Sequence, residues 1–494
     1  MEGLPAMISR GLTAKNVVSW AVVSSLLGFC PHAATAEVTA DFTRTVAKFR
    51  PALHSSGFAP AFSRAHQAKW DENIREMNFD YVRSHDLALV NGGSRAFDVQ
   101  HIFPLMHLDP SVPENYYFDT TDFMLDLQYA IGQKPFFRLG TSIEHTGLVH
   151  FSAEIPKDFD KMSEVFAGIV RHYVRGWGDP AGKVRPIEYW EIWNEPDGLN
   201  NMWSFNGGVD DKDPVNNRNA ERRELFVQFF VKALKRLKSE FPGLKIGGPA
   251  LCSMKESWLR PILKACRAEG VSPDFLSWHY YGNSPDSVFT MASAADRICR
   301  DEGFPNMEFI INEWHFVGKS GWCRNSKCRA PDNMSDINSA CFSLTVLSRL
   351  QTSRYAQAYF YGCRFYGDMG FMSYDTKELN KNFYAMKAFG EIKRDSADIC
   401  ESASMDKNVT VLATKSADGK KAFLLVTDYY GSNMRIPVSV KGVEGAKSAT
   451  ARVLSFESDL DEVPLEMKDG KFVLLKPDAY SAAFLVTFKF DPSR

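Results

Sequence analysis

A chain of 494 residues is too long for one ordinary hydrophobic core, so a large domain with a smaller companion is expected. Its 45% hydrophobic and 24% charged residues are a globular composition, which excludes a disordered or membrane-embedded chain. A formal net charge of −2, with no polybasic stretch, offers no field for nucleic acid or an anionic lipid surface, and a neutral partner fits better.

At the N-terminus Arg10 and Lys15 precede an apolar run over 17–29, and Ala34-Thr35-Ala36 precedes a polar stretch. That order reads as a signal peptide over 1–36, cleaved after Ala36. The run is too short to span a bilayer, and no later stretch reaches the roughly 20 apolar residues of a transmembrane helix. A soluble product, secreted or periplasmic and free of the membrane after cleavage, is therefore expected. Of nine cysteines, Cys30 leaves with the leader. The remaining even count permits disulfides, and Cys323 with Cys328 could close a local loop. No further ligands at a recognisable spacing favour zinc at that pair, and no metal is expected.

Over 50–394 short apolar runs alternate with stretches of helical period, the pattern of repeated βα units. A first strand is expected near 51–54, followed by strands at 81–83, 135–139, 187–193, 245–247, 274–278, 308–311 and 356–361. Helices are expected at 120–131, 158–173, 221–240 and 337–350. Eight parallel units in about 345 residues match a closed (β/α)8 TIM barrel, an α/β fold. After about residue 396 the rhythm becomes strand alternation at 409–414, 422–427, 435–440, 451–456 and 482–488, with turns such as Ala417-Asp418-Gly419. These residues, 395–494, read as a C-terminal β-sandwich domain, to which 37–49 would add a strand.

Reactive side chains of such a barrel sit at the C-terminal ends of its strands. The run ending in Trp193-Asn194-Glu195-Pro196 puts Glu195 at one strand end, since Pro196 cannot continue a central strand. The run ending in Asn312-Glu313-Trp314 puts Glu313 at another. Glycosidic cleavage needs one carboxylic acid to protonate the leaving oxygen and one carboxylate to attack or to activate water. Two glutamates facing one barrel mouth suit that chemistry, and no cofactor is required. A separation of about 5–5.5 Å would give retention of configuration and a wider gap inversion.

The string Trp193-Asn194-Glu195-Pro196 resembles the acid/base motif of clan A glycoside hydrolases, and several further segments resemble family 39. These are His54-Ser55-Ser56-Gly57-Phe58-Ala59-Pro60, Tyr81-Val82-Arg83-Ser84-His85, Gly247-Gly248-Pro249-Ala250, Asp274-Phe275-Leu276-Ser277-Trp278-His279 and Asn312-Glu313-Trp314. The order holds over about residues 38–490. This resemblance implies a retaining enzyme with Glu195 as acid/base and Glu313 as nucleophile. It also implies that Asn194 donates to the sugar 2-hydroxyl and that Arg83 pairs with Glu313. His85 and His279 would line the sugar pocket, with Tyr281 hydrogen-bonding near the nucleophile.

Aromatic residues in the same loops, Trp203, Trp278, Tyr280, Trp314, Phe316 and Tyr366, match the flat faces of sugar rings, and two or three of them, Trp314 included, are expected to touch substrate. The family's iduronic-acid branch carries a lysine where Tyr281 stands, which disfavours a uronide and leaves the β-xylosidase branch as the nearer pattern. The eighth strand lacks that branch's tryptophan and is followed by Arg364, and the insertion over 318–333 has no family counterpart. The expected activity is an exo-β-glycosidase of β-xylosidase type acting on an oligo- or polysaccharide or a glycoside. Its alternatives are an endo-acting polysaccharide hydrolase and an inactive carbohydrate-binding barrel. Neither the sugar, its anomer nor the oligomeric state is legible.

Overall fold

The computed structural model describes residues 37–57, 67–84, 96–141, 155–198, 203, 219–319, 321, 333–363, 369–372 and 378–491. The expected leader, His85, Cys323, Cys328, Arg364, Tyr366 and most of the insertion lie outside them.

Strand β1 (Val38–Lys48) precedes the barrel but pairs with the C-terminal sheet. Eight parallel strands then close a barrel in chain order: β2 (Ser55–Gly57), β3 (Tyr81–Arg83), β4 (Lys134–Leu139), β5 (Tyr189–Ile192), β6 (Lys245–Leu251), β7 (Phe275–Gly282), β8 (Glu308–Phe316) and β9 (Tyr355–Phe360). Between them run α1 (Gln67–Met77), α2 (Val99–Ile102), α3 (Asp119–Ala130), α4 (Phe159–Arg175), α5 (Asn219–Glu240), α6 (Glu256–Ala268), α7 (Pro285–Asp301) and α8 (Ile337–Leu350). After β9 comes α9 (Lys381–Asp395).

Helix α4 illustrates how local sequence sets these elements. Asp158 caps its start by accepting from Lys161 N–H at 3.0 Å, and Gly176, at φ 70°, ends it in a left-handed turn that costs glycine nothing. Between them Met162, Val165, Phe166, Ile169, Val170 and Tyr173 recur at helical spacing and are buried.

One strand begins later than expected. Pro51 has no N–H for a ladder, and Pro51–Leu53 instead closes a 3-10 turn in which His54 N–H donates to Pro51 O at 2.9 Å. Strand β2 therefore starts at Ser55 rather than near residue 51.

The two-residue pleat sorts the strand side chains into layers. Tyr81, Phe136, Tyr189, Phe275, Ile310 and Tyr359 form a buried apolar cluster that fills the barrel interior. Two residues further along their strands, on the same face, stand Arg83, Arg138, Glu191, Ser277 and Asn312, all buried. An apolar plug thus lies beneath a polar floor.

The C-terminal module comprises β10 (Ser396–Ser404), β11 (Val409–Ser416), β12 (Lys421–Asp428), β13 (Arg435–Lys441), β14 (Ser448–Leu454), β15 (Asp459–Val463), β16 (Lys471–Leu475) and β17 (Ala482–Lys489). With β1 they form a single nine-stranded sheet in the order β15-β14-β17-β12-β11-β10-β1-β13-β16. Flat, β1 and β17 would stand about 19 Å apart at the usual strand spacing. Yet the rings of Phe42 and Phe488 lie 5.7 Å apart, edge to face. The expected sandwich is therefore one continuous sheet rolled over its own core of residues such as Val38, Leu424, Val438 and Phe484. It docks on the barrel through Tyr429 OH, which donates to Asn283 O at 2.7 Å, and Ser481 Oγ, which meets Asn338 Oδ1 at 2.6 Å.

Burial of His54 has a consequence for acid stability. Its ring packs between Phe79 and Phe389, and Nε2–H donates to Met77 O at 2.7 Å. Burial first, then the Lys393 charge, pushes its pKa down to about 3. The unfolded chain takes up this proton below about pH 6.5 whereas the folded chain stays neutral. Stability is therefore full above that pH and falls toward pH 3, by up to about 1.4 kcal/mol per pH unit from this group. Urea midpoints measured across that window should fall less steeply for His54→Asn than for wild type. Equal slopes would refute the assignment.

Candidate active site

Above the polar floor three strands bring their reactive groups together. Strand β5 ends at Ile192, and the turn that follows holds Trp193 at φ 75° and Glu195 at φ 45°. Left-handed backbone of this kind costs a non-glycine residue roughly 1–2 kcal/mol, so packing must enforce it. Gly140, at φ 121°, makes room for Trp193: a Cβ there would stand 2.9 Å from the indole. Glu195 N–H donates to Ala250 O at 2.8 Å, tying the turn to β6.

Glu313 was expected at a strand end, but β8 continues past it to Phe316. Its inward aim comes from a bulge. Trp278 pairs with Ile311 and His279 with Glu313, so Asn312 is an extra residue against β7. Asn312 and Glu313 consequently both face the interior, and Trp314 turns to the helix side, where Phe342 and Phe360 pack on it.

His279 joins the two glutamates. Its Nδ1 lies 2.8 Å from Glu195 Oε1 and 3.3 Å from Glu313 Oε2, and one oxygen of each carboxylate falls within 4.8 Å of the other. Burial pulls the imidazole's pKa down, but the Glu313 and Glu195 carboxylates outweigh burial and hold it above its ordinary value. Tyr281 OH donates to Glu313 Oε2 at 2.7 Å, and burial together with that carboxylate pushes the phenol well above its usual range.

Arg83 organises the opposite side with three separate contacts. Nε donates to Glu191 Oε2 at 2.7 Å, Nη1 to Glu313 Oε1 at 2.8 Å and Nη2 to Asn194 Oδ1 at 2.8 Å. Because the amide oxygen of Asn194 is engaged by Arg83, its Nδ2–H2 points elsewhere. That group is buried without a partner among the described residues. Burial opposes the charge on Arg83, but the Glu191 and Glu313 carboxylates outweigh it and raise its pKa.

Of the residues singled out from sequence, Glu195, Glu313, Asn194, Arg83, His279 and Tyr281 converge here, and His85 lies outside the described residues. The expected contact of Trp314 with substrate is corrected: its side chain is fully buried behind the barrel wall. Trp203, Trp278, Tyr280 and Phe316 are likewise buried packing residues.

Glu191, Ser277 and Asn312 escaped sequence reasoning. Glu191 Oε1 accepts from Ser277 Oγ at 2.6 Å and Asn312 Nδ2 at 2.7 Å, while its Oε2 makes it the second carboxylate partner of Arg83. The signal that could have found them is the step of two from Tyr189, Phe275 and Ile310.

Two groups of described residues bring three ligand-type atoms within 4.8 Å: Glu195, His279 and Glu313, and Asp122, His172 and Asp179. Arg83 and Tyr281 already donate to Glu313 in the first, and Arg185 reaches both aspartates of the second at 3.2 and 3.4 Å. Both donor sets are thus matched to protein cations and protons. All described cysteines are free thiols.

A family model described as "Glycosyl hydrolases family 39" matches residues 36–302, more than half of the chain. The match ends before Glu313, so that residue's role rests on geometry. A β-xylosidase of Geobacillus stearothermophilus is 24% identical over 268 residues, 49% of this chain and 47% of that protein. A β-xylosidase of Caldicellulosiruptor saccharolyticus is 26% identical over 183 residues, 36% of this chain and 33% of that protein. The matched stretches thus span about half and a third of these relatives. A crystal structure of a glucosidase from Croceicoccus marinus superposes with a TM-score of 0.72 at 18% identity, covering 92% of this chain and all of that one.

Proposed function

Because the chain belongs to glycosyl hydrolase family 39, we propose that it cleaves O-glycosidic bonds by double displacement, with Glu313 as nucleophile and Glu195 as acid/base. The observation that carries this reading is the pair of carboxylates flanking one imidazole nitrogen, His279 Nδ1, at 2.8 and 3.3 Å, with an oxygen of each within 4.8 Å of the other. A retaining mechanism calls for carboxyl groups about 5–5.5 Å apart, whereas an inverting one needs room for water between them.

Donor counts favour these roles. Glu313 accepts hydrogen bonds from Arg83 and Tyr281, with His279 Nδ1 a further 3.3 Å away, and is kept as a charged, oriented carboxylate. Glu195 receives His279 on Oε1, which leaves Oε2 to carry a proton toward the leaving oxygen. In the first step a Glu313 oxygen bonds to the anomeric carbon while the glycosidic C–O bond breaks and Glu195 gives its proton to the departing oxygen. In the second, Glu195 takes a proton from water, whose oxygen displaces Glu313. Negative charge passes from Glu313 to Glu195 and back, and both lie beside His279 Nδ1. The imidazole therefore faces one carboxylate charge at every stage. Asn194 Nδ2–H2 supplies the donor that a sugar 2-hydroxyl requires as oxocarbenium character develops.

For substrate we favour a neutral β-glycoside of xyloside type and exo action. Two similar proteins are named β-xylosidases, and Tyr281 stands where a uronide-specific enzyme would need a cation. The test is proton NMR of 4-nitrophenyl β-xyloside hydrolysis, followed from the first minute. The β-anomer of free xylose should form first. First appearance of the α-anomer would overturn retention, and inactivity on all neutral aryl glycosides would favour a charged substrate or a carbohydrate-binding barrel.

A further inference from the structure

We propose that Asp197 is a positioning residue for the acid/base: its buried carboxylate clamps the turn bearing Glu195 to the end of β6 and so governs proton delivery to the leaving group. This rests on the assignment of Glu195 made above. Glu195 at φ 45° and Ala250 at φ 55° are both left-handed without being glycine, and they are bonded to each other through Glu195 N–H and Ala250 O. Such backbone persists only where its surroundings over-determine it. Asp197 supplies the missing constraint two residues beyond Glu195.

Oδ1 of Asp197 accepts from Cys252 N–H, just past β6, at 2.8 Å. Oδ2 pairs with the ammonium of Lys255 at 2.7 Å, with the Asp197 side chain 0% exposed. Gly198 N–H closes the turn on Glu195 O at 2.9 Å. Glu313 takes its hydrogen bonds from Arg83 on β3 and Tyr281 on β7, not from the Asp197 clamp, although Arg83 also holds Asn194 and His279 lies beside both glutamates. Loosening the clamp should therefore displace the proton donor and spare the nucleophile. A displacement of about 1 Å is enough to cost up to about 100-fold in rate.

The experiment compares kcat/KM for 2,4-dinitrophenyl β-xyloside, whose leaving group departs without a proton, and phenyl β-xyloside, whose leaving group needs one. Asp197→Asn should lower kcat/KM about 10- to 100-fold on the phenyl glycoside and less than about threefold on the dinitrophenyl one. Lys255→Met, which removes the outer, partly exposed half of the clamp, should show the same selectivity at several-fold size. It carries the test if Asp197→Asn does not fold. Equal losses on both substrates, or none on either, would overturn the clamp. Glu195→Ala is the reference: selectivity there but not in the clamp variants rejects this inference alone. Its absence from Glu195→Ala would reject the acid/base assignment and the clamp together.

Discussion

Glu313→Ala is expected to lower kcat on aryl glycosides by about 10⁴-fold or more, because it removes the atom that bonds to the anomeric carbon. Azide should restore activity by entering the space left by the carboxylate. It would attack from the face Glu313 occupied while Glu195 still protonates the leaving group, so a β-glycoside yields the α-glycosyl azide. Glu195→Ala is expected to behave differently. With a good leaving group the glycosyl-enzyme still forms on Glu313, and azide then attacks that intermediate from the opposite side, giving the β-glycosyl azide. Chromatography and NMR of the two products distinguish the roles. Products of the same configuration from both variants would refute the assignment, and products interchanged between them would reverse it.

Arg83→Met is expected to destabilise the protein by about 3–5 kcal/mol, the range for breaking a buried ion pair by removing one partner. Arg83 is fully buried and faces Glu191, buried on the same polar floor, and Glu313, whose side chain is only 5% exposed. Without the guanidinium these two carboxylates lie close together with no cation between them. Lysine cannot substitute, since three differently directed N–H groups serve Glu191, Glu313 and Asn194. Urea denaturation of Arg83→Met, Glu191→Gln and the double variant provides the check. The double variant should be less destabilised than the sum of the singles by at least about 1 kcal/mol, because removing Glu191's charge relieves what Arg83 no longer neutralises. Strict additivity would mean that the pair is not energetically coupled. Activity should fall with Arg83→Met as well, since Asn194 and Glu313 lose their common anchor.

The helices with strong periodic patterns were legible almost to the residue: Ile337–Leu350 is the stretch expected, and Phe159–Arg175 differs by one residue at its start and two at its end. Strand ends were less so. Sequence alone suggested that β8 stops at Ile311, because a polar pair follows an apolar run, yet the strand runs on to Phe316 with Asn312 bulged. Polarity marks a strand's end only when the polar residues meet solvent, and here they meet a buried floor of opposite charge. The same blindness hid Glu191, which sits inside the Tyr189–Ile192 strand and looks like a surface position in an alternating pattern. Trp314 was misjudged for the converse reason: the bulge that turns Glu313 inward sends its neighbour outward.

What the sequence determined by itself is whatever depends on local periodicity and on the stereochemistry of single residues: repeated βα units, the later change to strand alternation, and a proline at 196 that bars a central strand from running on past Glu195. Tertiary structure alone decided which carboxylates meet and in what environment. That choice depends on strand register, on one inserted residue in β8 and on two left-handed turns at neighbouring strand ends. None of these changes the pattern of apolar residues along the chain, and each acts only once eight strands have closed and water has been excluded from between the charges.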